Sequence, residues 1–187
     1  SNVYISNFSY KDDSPGLELG HGDESEGQVS EHVYDDLYIR WCGSAVAIRN
    51  TQTVNLKFRD CGFPYNKTGL HITSNGALNI LMSGTNYTNT EISNIYYEKA
   101  KPSPYTGYVE EYNTFSHGIP GAHIKSKSGG RFLISGGAVA AHGGLADSCG
   151  GSGDIILIGC NFTHPGIVNM EGGSVVEMVS SYPPHLA

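Results

Sequence analysis

Charged side chains are scarce, at 16% of the 187 residues against the usual quarter. Lysine and arginine number only 11 against 18 acids, a net charge of -7. A polyanion is repelled wherever that balance is not locally reversed, which argues against nucleic acid as a partner. No apolar run approaches the roughly 18 residues a membrane helix needs, and Ser1 onward shows no basic stretch leading into an apolar segment, so neither membrane insertion nor a signal peptide is expected. A capped helical period of about a dozen residues is also lacking; the Glu91 to Ala100 stretch comes closest. Asn-Gly, the strongest short hairpin cue, occurs only at Asn75-Gly76. That scarcity counts against an antiparallel sandwich of hairpins.

What the chain has instead is glycine, 25 residues of it where an average composition holds about 7%, and a repeat. Alternating apolar residues lead to a small residue and then an aromatic: Val3, Ile5, Ser6, Asn7, Phe8; Val54, Leu56, Phe58, Cys61, Gly62, Phe63; Leu78, Ile80, Met82, Asn86, Tyr87; Ile156, Ile158, Cys160, Asn161, Phe162; and Val176, Met178, Ser180, Ser181, Tyr182. Leu37, Ile39, Trp41, Cys42, Gly43 and Phe132, Ile134, Gly136, Gly137 are versions without the aromatic. A second short pattern follows most copies, as in Gly16-Leu17-Leu19, Ser44-Val46-Ile48, Gly69-Leu70-Ile72, Gly121-Ala122-Ile124 and Gly166-Ile167-Val168-Met170. One such unit cannot bury its apolar face alone, but stacked units bury it against each other. The expected fold is therefore all-β: a parallel β-helix of about seven to eight rungs. It forms one domain, 1–187, with loop insertions at about 20–31 and 99–121. In that geometry Phe8, Phe63, Tyr87, Phe162 and Tyr182 form an interior aromatic stack, and Cys42, Cys61 and Cys160 share a ladder of free inward thiols. The pattern starts at Val3 and runs to Val179 without a visible cap, so the chain is expected to be a fragment or to be closed by neighbouring copies.

Leu56 to Phe63 with Thr68 to Ile72, together with Asn94-Ile95-Tyr96-Tyr97-Glu98, resemble units of right-handed parallel β-helices of the pectate-lyase superfamily, most closely the shafts of bacteriophage tailspikes and tail appendages. The resemblance covers nearly the whole chain. It implies a virion tail or extracellular location, a homotrimer, and a bacterial surface polysaccharide as partner. It also admits a polysaccharide hydrolase or lyase, or an inert spacer or adhesin repeat, because one fold carries many activities. The enzyme motifs of the superfamily have only faint echoes in Asn89-Thr90-Glu91, Ser116-His117-Gly118 and His123-Ile124-Lys125, and its Arg-x-Pro-x-x-Arg pattern is absent.

Candidate chemistry concentrates in residues 99–121. Tyr105, Tyr108, Tyr112 and His117 are the candidate sugar-contacting residues, because flat aromatic faces stack on sugar rings. Glu110 and Glu111 are the candidate catalytic acids. Adjacent carboxylates on a strand point to opposite faces, however, so a hydrolytic pair would have to draw its second acid from another rung. His21, Asp23, Glu24, Glu26 and Glu31 form an acidic loop without the spacing of a calcium loop. Asp35 and Asp36 read as a charged rung edge. No metal site and no cofactor are expected.

Overall fold

The computed structural model describes residues 3–7, 10, 13–20, 30–49, 54–73, 78–98, 108–127, 130–141, 146–148, 153–162, 168–169 and 175–179. Every described element is a strand apart from a single 3-10 position at Tyr10, and every pairing is parallel. The chain opens with β1 (Val3–Ser6) and β2 (Pro15–Leu19), then winds through β3 (Val33–Asp35), β4 (Leu37–Arg40) and β5 (Ser44–Ile48). The next turn has β6 (Val54–Arg59) and β7 (Thr68–Ile72), followed by β8 (Leu78–Ser83), β9 (Asn86–Thr88) and β10 (Ser93–Tyr97). Then come β11 (Tyr108–Tyr112), β12 (Phe115–Ile119) and β13 (Ala122–Ser126), and β14 (Gly130–Ser135), β15 (Ala138–Ala141) and β16 (Ala146–Ser148). The coil closes with β17 (Gly153–Ile158), β18 (Asn161–Phe162), β19 (Val168–Asn169) and β20 (Val175–Val179).

These strands stack into three sides. The first is seven strands, β2-β5-β7-β10-β13-β16-β19; the second is seven, β3-β6-β8-β11-β14-β17-β20; the third is split into the pair β1-β4 and the four strands β9-β12-β15-β18. On the third side the turn through β6 and β7 contributes only isolated bridges at Gly62, to Tyr38 and Asn86. The result is a parallel β-solenoid of about four turns that carry a strand on all three sides in unbroken succession, fewer than the seven to eight expected. The seven sequence copies do not map one to one onto these three-sided turns, because the strand-corner pattern occurs at two different corners. Copies at Val3 and Leu37 lie on the third side, while those at Val54, Leu78, Phe132, Ile156 and Val176 lie on the second.

Alternation along each strand decides the inside. On the second side Leu56 and Phe58, Ile80 and Met82, and Phe132 and Ile134 are buried, while Lys57 and Arg59 are exposed. In-register pairing turns these into ladders, Tyr34-Phe58-Met82-Glu111-Ile134-Leu157 on the second side and Leu17-Val46-Leu70-Ile95-Ile124 on the first. Each fully buried Leu, Ile, Phe or Met contributes roughly 1.5–3 kcal/mol. The corners are equally regular. After the second side, Asp36, Asp60, Gly84, Asn113, Gly136 and Gly159 share a left-handed backbone with φ between +50 and +68. Only Gly, Asn and Asp adopt that region at low cost, which explains the small residue in the sequence pattern. Their amides carry the inter-turn ladder through the bend, for example Asp60 N–H to Ser83 O at 2.8 Å and Gly84 N–H to Tyr112 O at 2.9 Å.

Three expectations change. The segment 99–121 is not wholly an insertion: Tyr108–Tyr112 and Phe115–Ile119 are strands of the second and third sides. The aromatic stack is short, because Phe63 packs on Tyr87 (5.9 Å between centroids) but the register then places Ser116 and Val139 before Phe162. Phe8, Tyr182 and the side chain of Phe162 lie outside the described residues. Cys42, Cys61 and Cys160 are buried and form no disulfide with one another, yet they do not form one ladder. Each follows a left-handed corner residue (Trp41, Asp60, Gly159) and its thiol donates to the carbonyl two residues back. Cys42 does so after the third side, Cys61 and Cys160 after the second. Residues 21–29, most of the first expected insertion, and Cys149 lie outside the described residues.

Candidate functional site

The outward row of β11 carries Tyr108, Glu110 and Tyr112, while Val109 and Glu111 point inward and are each 1% exposed. Parallel register extends the row into columns about 4.8 Å apart per step. Lys57, Leu81, Glu110 and Leu133 share one column, and Arg59, Ser83, Tyr112 and Ser135 the next. A groove of about 160 Å³ runs along this face, lined by Asn55, Lys57, Asn79, Leu81 and Glu110 over the backbone of Leu56 and Ile80. That is about half the smallest volume of a drug-sized pocket, so it has room for one ring rather than an enclosed oligomer.

Polar groups of the face are partly pre-paired. The Tyr112 hydroxyl donates to Glu110 Oε2 at 3.0 Å, and that bond, with burial and the carboxylate charge, raises the phenol above its usual range. Burial, then the Glu110 charge, does the same for Tyr108, whose ring lies 6.0 Å from the Arg131 guanidinium. Asn79 Nδ2 donates to Asn55 Oδ1 at 3.1 Å; both asparagines hold left-handed backbone, with φ of +57 and +55. At the foot of the face Arg59 grips Asp35 with two bonds of 2.6 Å, and those bonds hold the Asp35 carboxyl below its usual range. Asp36 instead forms the corner.

Of the residues singled out in the sequence, the structure therefore brings Tyr108, Glu110 and Tyr112 together. His117 is on the outward face of β12 on the third side, stacked with Phe115 at 6.3 Å, and does not join them. Tyr105 lies outside the described residues. Glu111 is inside the coil, out of reach of any polymer laid along the face. The groove lining holds one carboxylate, Glu110, and an acid-plus-nucleophile or acid-plus-base arrangement needs two. Lys57, Asn55, Asn79 and Leu81 were missed; their signal is the outward alternation of Val54–Arg59 and Leu78–Ser83.

A second polar cluster lies inside the β11–β13 turn, where each side turns a polar side chain inward: Glu111, Ser116 and His123, none more than 1% exposed. His123 Nε2–H donates to Glu111 Oε2 at 2.6 Å, and Asn94 Nδ2–H donates to His123 Nδ1 at 2.7 Å. With both ring nitrogens engaged and Ser116 Oγ unpartnered, the trio is not a nucleophile with its base. Tyr87 meets the His123 ring edge-on at 6.1 Å. Burial, then the Glu111 carboxylate, pushes its phenol well above the usual range. The motif echoes noted in the sequence diverge accordingly: Ser116 and His123 are interior, His117 is exterior, and Glu91 is exposed and bonded to Tyr10.

The comparisons give no family. No protein-family model, no curated protein and no solved structure matches the chain. Among the described residues no group of three or more His, Cys, Asp or Glu side chains is placed to hold a metal ion.

Proposed function

We propose that the chain is a β-solenoid segment of a surface or virion-tail appendage that binds a bacterial surface polysaccharide along the outer face of its second side. The observation that carries this reading is the display of Tyr108, Glu110 and Tyr112 on one rigid strand face beside a ring-sized groove. Aromatic faces pack on the apolar faces of sugars, and the carboxylate, amide and ammonium groups alongside offer the mixed donors and acceptors that hydroxyl-rich ligands use. Strand-borne side chains are positioned more rigidly than loop-borne ones, which favours binding of a stiff polymer. The right-handed, pectate-lyase-like tailspike relationship and the homotrimer belong to this proposal and rest on the sequence resemblance. Binding is favoured over depolymerisation because the groove presents a single acid.

The test is calorimetric titration with purified capsular and lipopolysaccharide glycans, for the native chain and for Tyr108→Ala/Tyr112→Ala. A ring–ring contact is worth about 0.5–1.5 kcal/mol, so the double variant should lose about tenfold or more in affinity, with an unchanged melting temperature. Binding equal to that of the native chain would sink the reading. Release of reducing ends or unsaturated products would replace it with depolymerase chemistry.

A further inference from the structure

The second side is anchored unevenly. β6 turns Leu56 and Phe58 inward, β8 turns Ile80 and Met82, and β14 turns Phe132 and Ile134, all buried. β11 has one apolar anchor, Val109; its second inward position is Glu111, in register with Met82 below and Ile134 above. A carboxylate in an apolar ladder is costly unless paired, and its described partner is His123, reached across the interior from β13. Asn94 from β10 holds the imidazole from the other side. The Tyr87 phenol also lies against the Glu111 carboxylate, which helps to raise it, but the hydrogen bond of ordinary length to Glu111 is the one from His123. The other side chains in register with Glu111 or Ser116 are Met82, Ile134, Tyr87 and Val139; none of these is a cation.

We propose that Glu111 and His123 are positioning residues: their buried pair replaces the second apolar anchor of β11 and holds the outward row Tyr108, Glu110, Tyr112 in place. The two faces of a strand cannot move independently, since adjacent side chains share one backbone. When the pair is broken, β11 opens locally while its neighbours, each with two apolar anchors, stay closed. The consequence for ligand binding rests on the polysaccharide reading; the local opening does not.

Amide hydrogen exchange of the whole chain tests this, with the variants Glu111→Leu, His123→Leu and the double Glu111→Leu/His123→Leu. Each single change leaves one member of the pair stranded in the interior, whereas the double removes both and puts an apolar pair in their place, leaving Asn94 without its ring partner as His123→Leu also does. Each single is expected to raise exchange of residues 109–112 at least tenfold, against less than threefold for 55–59 and 80–83. The double is expected to return residues 109–112 to within threefold of the native rates. Glycan affinity should follow the same order, weakened in the singles and restored in the double. If His123→Leu does not fold, Glu111→Leu and the double still decide. Exchange that rises evenly over all three strands, a double as open as the sum of the singles, or glycan affinity unmoved while β11 opens would each overturn the proposal. A native chain that binds no glycan would overturn the polysaccharide reading and leave the exchange pattern to judge the pair.

Discussion

Gly69 offers the sharpest test of how the turns pack. It lies on β7, and a Cβ built on it would stand 2.6 Å from the Asn94 carbonyl oxygen of the next turn and 2.6 Å from Tyr87 Cε1. Ordinary Cβ contacts begin at 3.4 Å, so both neighbours must give by about 0.8 Å. Neither can do so freely, since one is backbone and the other is a ring with no exposed surface. Overpacking of this kind costs typically 1–3 kcal/mol, and the rigid surroundings place Gly69→Ala near the upper end, about 3 kcal/mol. Gly159→Ala is the matched control. Its Cβ would meet nothing within 4 Å, but its φ is +61, so only the backbone penalty of about 1–2 kcal/mol applies. At about 2–4 °C per kcal/mol for a chain of this size, thermal unfolding followed by circular dichroism should show Gly69→Ala melting about 6–12 °C below the native chain. Gly159→Ala should fall by about a third to two thirds of that. A neutral Gly69→Ala, or the reverse order of the two, would refute the interior placement of this position.

Other outcomes follow from the same packing. Phe63→Ala removes a ring that is fully buried against Phe58 and Tyr87 and should cost about 3–5 kcal/mol in urea unfolding; a loss below 1 kcal/mol would place Phe63 outside the core. Cys42, Cys61 and Cys160 should not react with a thiol reagent until the chain unfolds, because all three are buried and burial pushes the Cys61 thiol up; rapid labelling of any of them in the native state contradicts the structure. Tyr10 is pushed up to about 12 by burial and its bond to Glu91, and burial also raises Tyr87 well above its usual range. A phenol raised on folding supports the native state below pH 10, its unfolded value, and that support is lost as pH climbs from 10 through about 12. Ultraviolet titration should therefore show phenols that ionise late in the native chain and near pH 10 in urea, with stability falling over the same interval.

The coil was legible where its chemistry is repetitive. Asp60, Gly84, Asn113 and Gly136 are residues that tolerate left-handed corners, and Leu56, Phe58, Ile80 and Met82 alternate as an inward face must. The turn through β11 was hidden for a physical reason. Its inward positions include Glu111 and Ser116, polar where their described partners in register are apolar, so a strand with a partly polar interior read as a loop. The run Ile155-Ile156-Leu157-Ile158 misled differently: apolar on both faces, it does not reveal its register, and it is Ile155 and Leu157 that are buried while Ile158 is exposed. A one-residue slip reverses every side chain, and only pairing with neighbouring strands settles it. At the candidate site, Tyr108, Glu110 and Tyr112 were recognised as chemistry-bearing residues. Lys57 and Asn79 join them only because the coil brings positions 24 or more residues apart into neighbouring columns.

Engineered cross-linking tests the central claim most directly, because it asks whether the segment that resembles a loop is a rung of a parallel coil. Glu110 and Leu133 are Cα partners on adjacent strands, and neighbouring strands lie about 4.8 Å apart, inside the 4.4–6.8 Å range a disulfide spans. Glu110→Cys/Leu133→Cys should close a bridge under mild oxidation, detectable as a mobility shift reversed by reductant. Glu110→Cys/Ser135→Cys, two residues out of register at roughly 8 Å, should not. Failure of the first pair to bridge, or equal bridging of the second, would contradict the in-register parallel winding on which the outward display of Glu110 and the inward burial of Glu111 both depend.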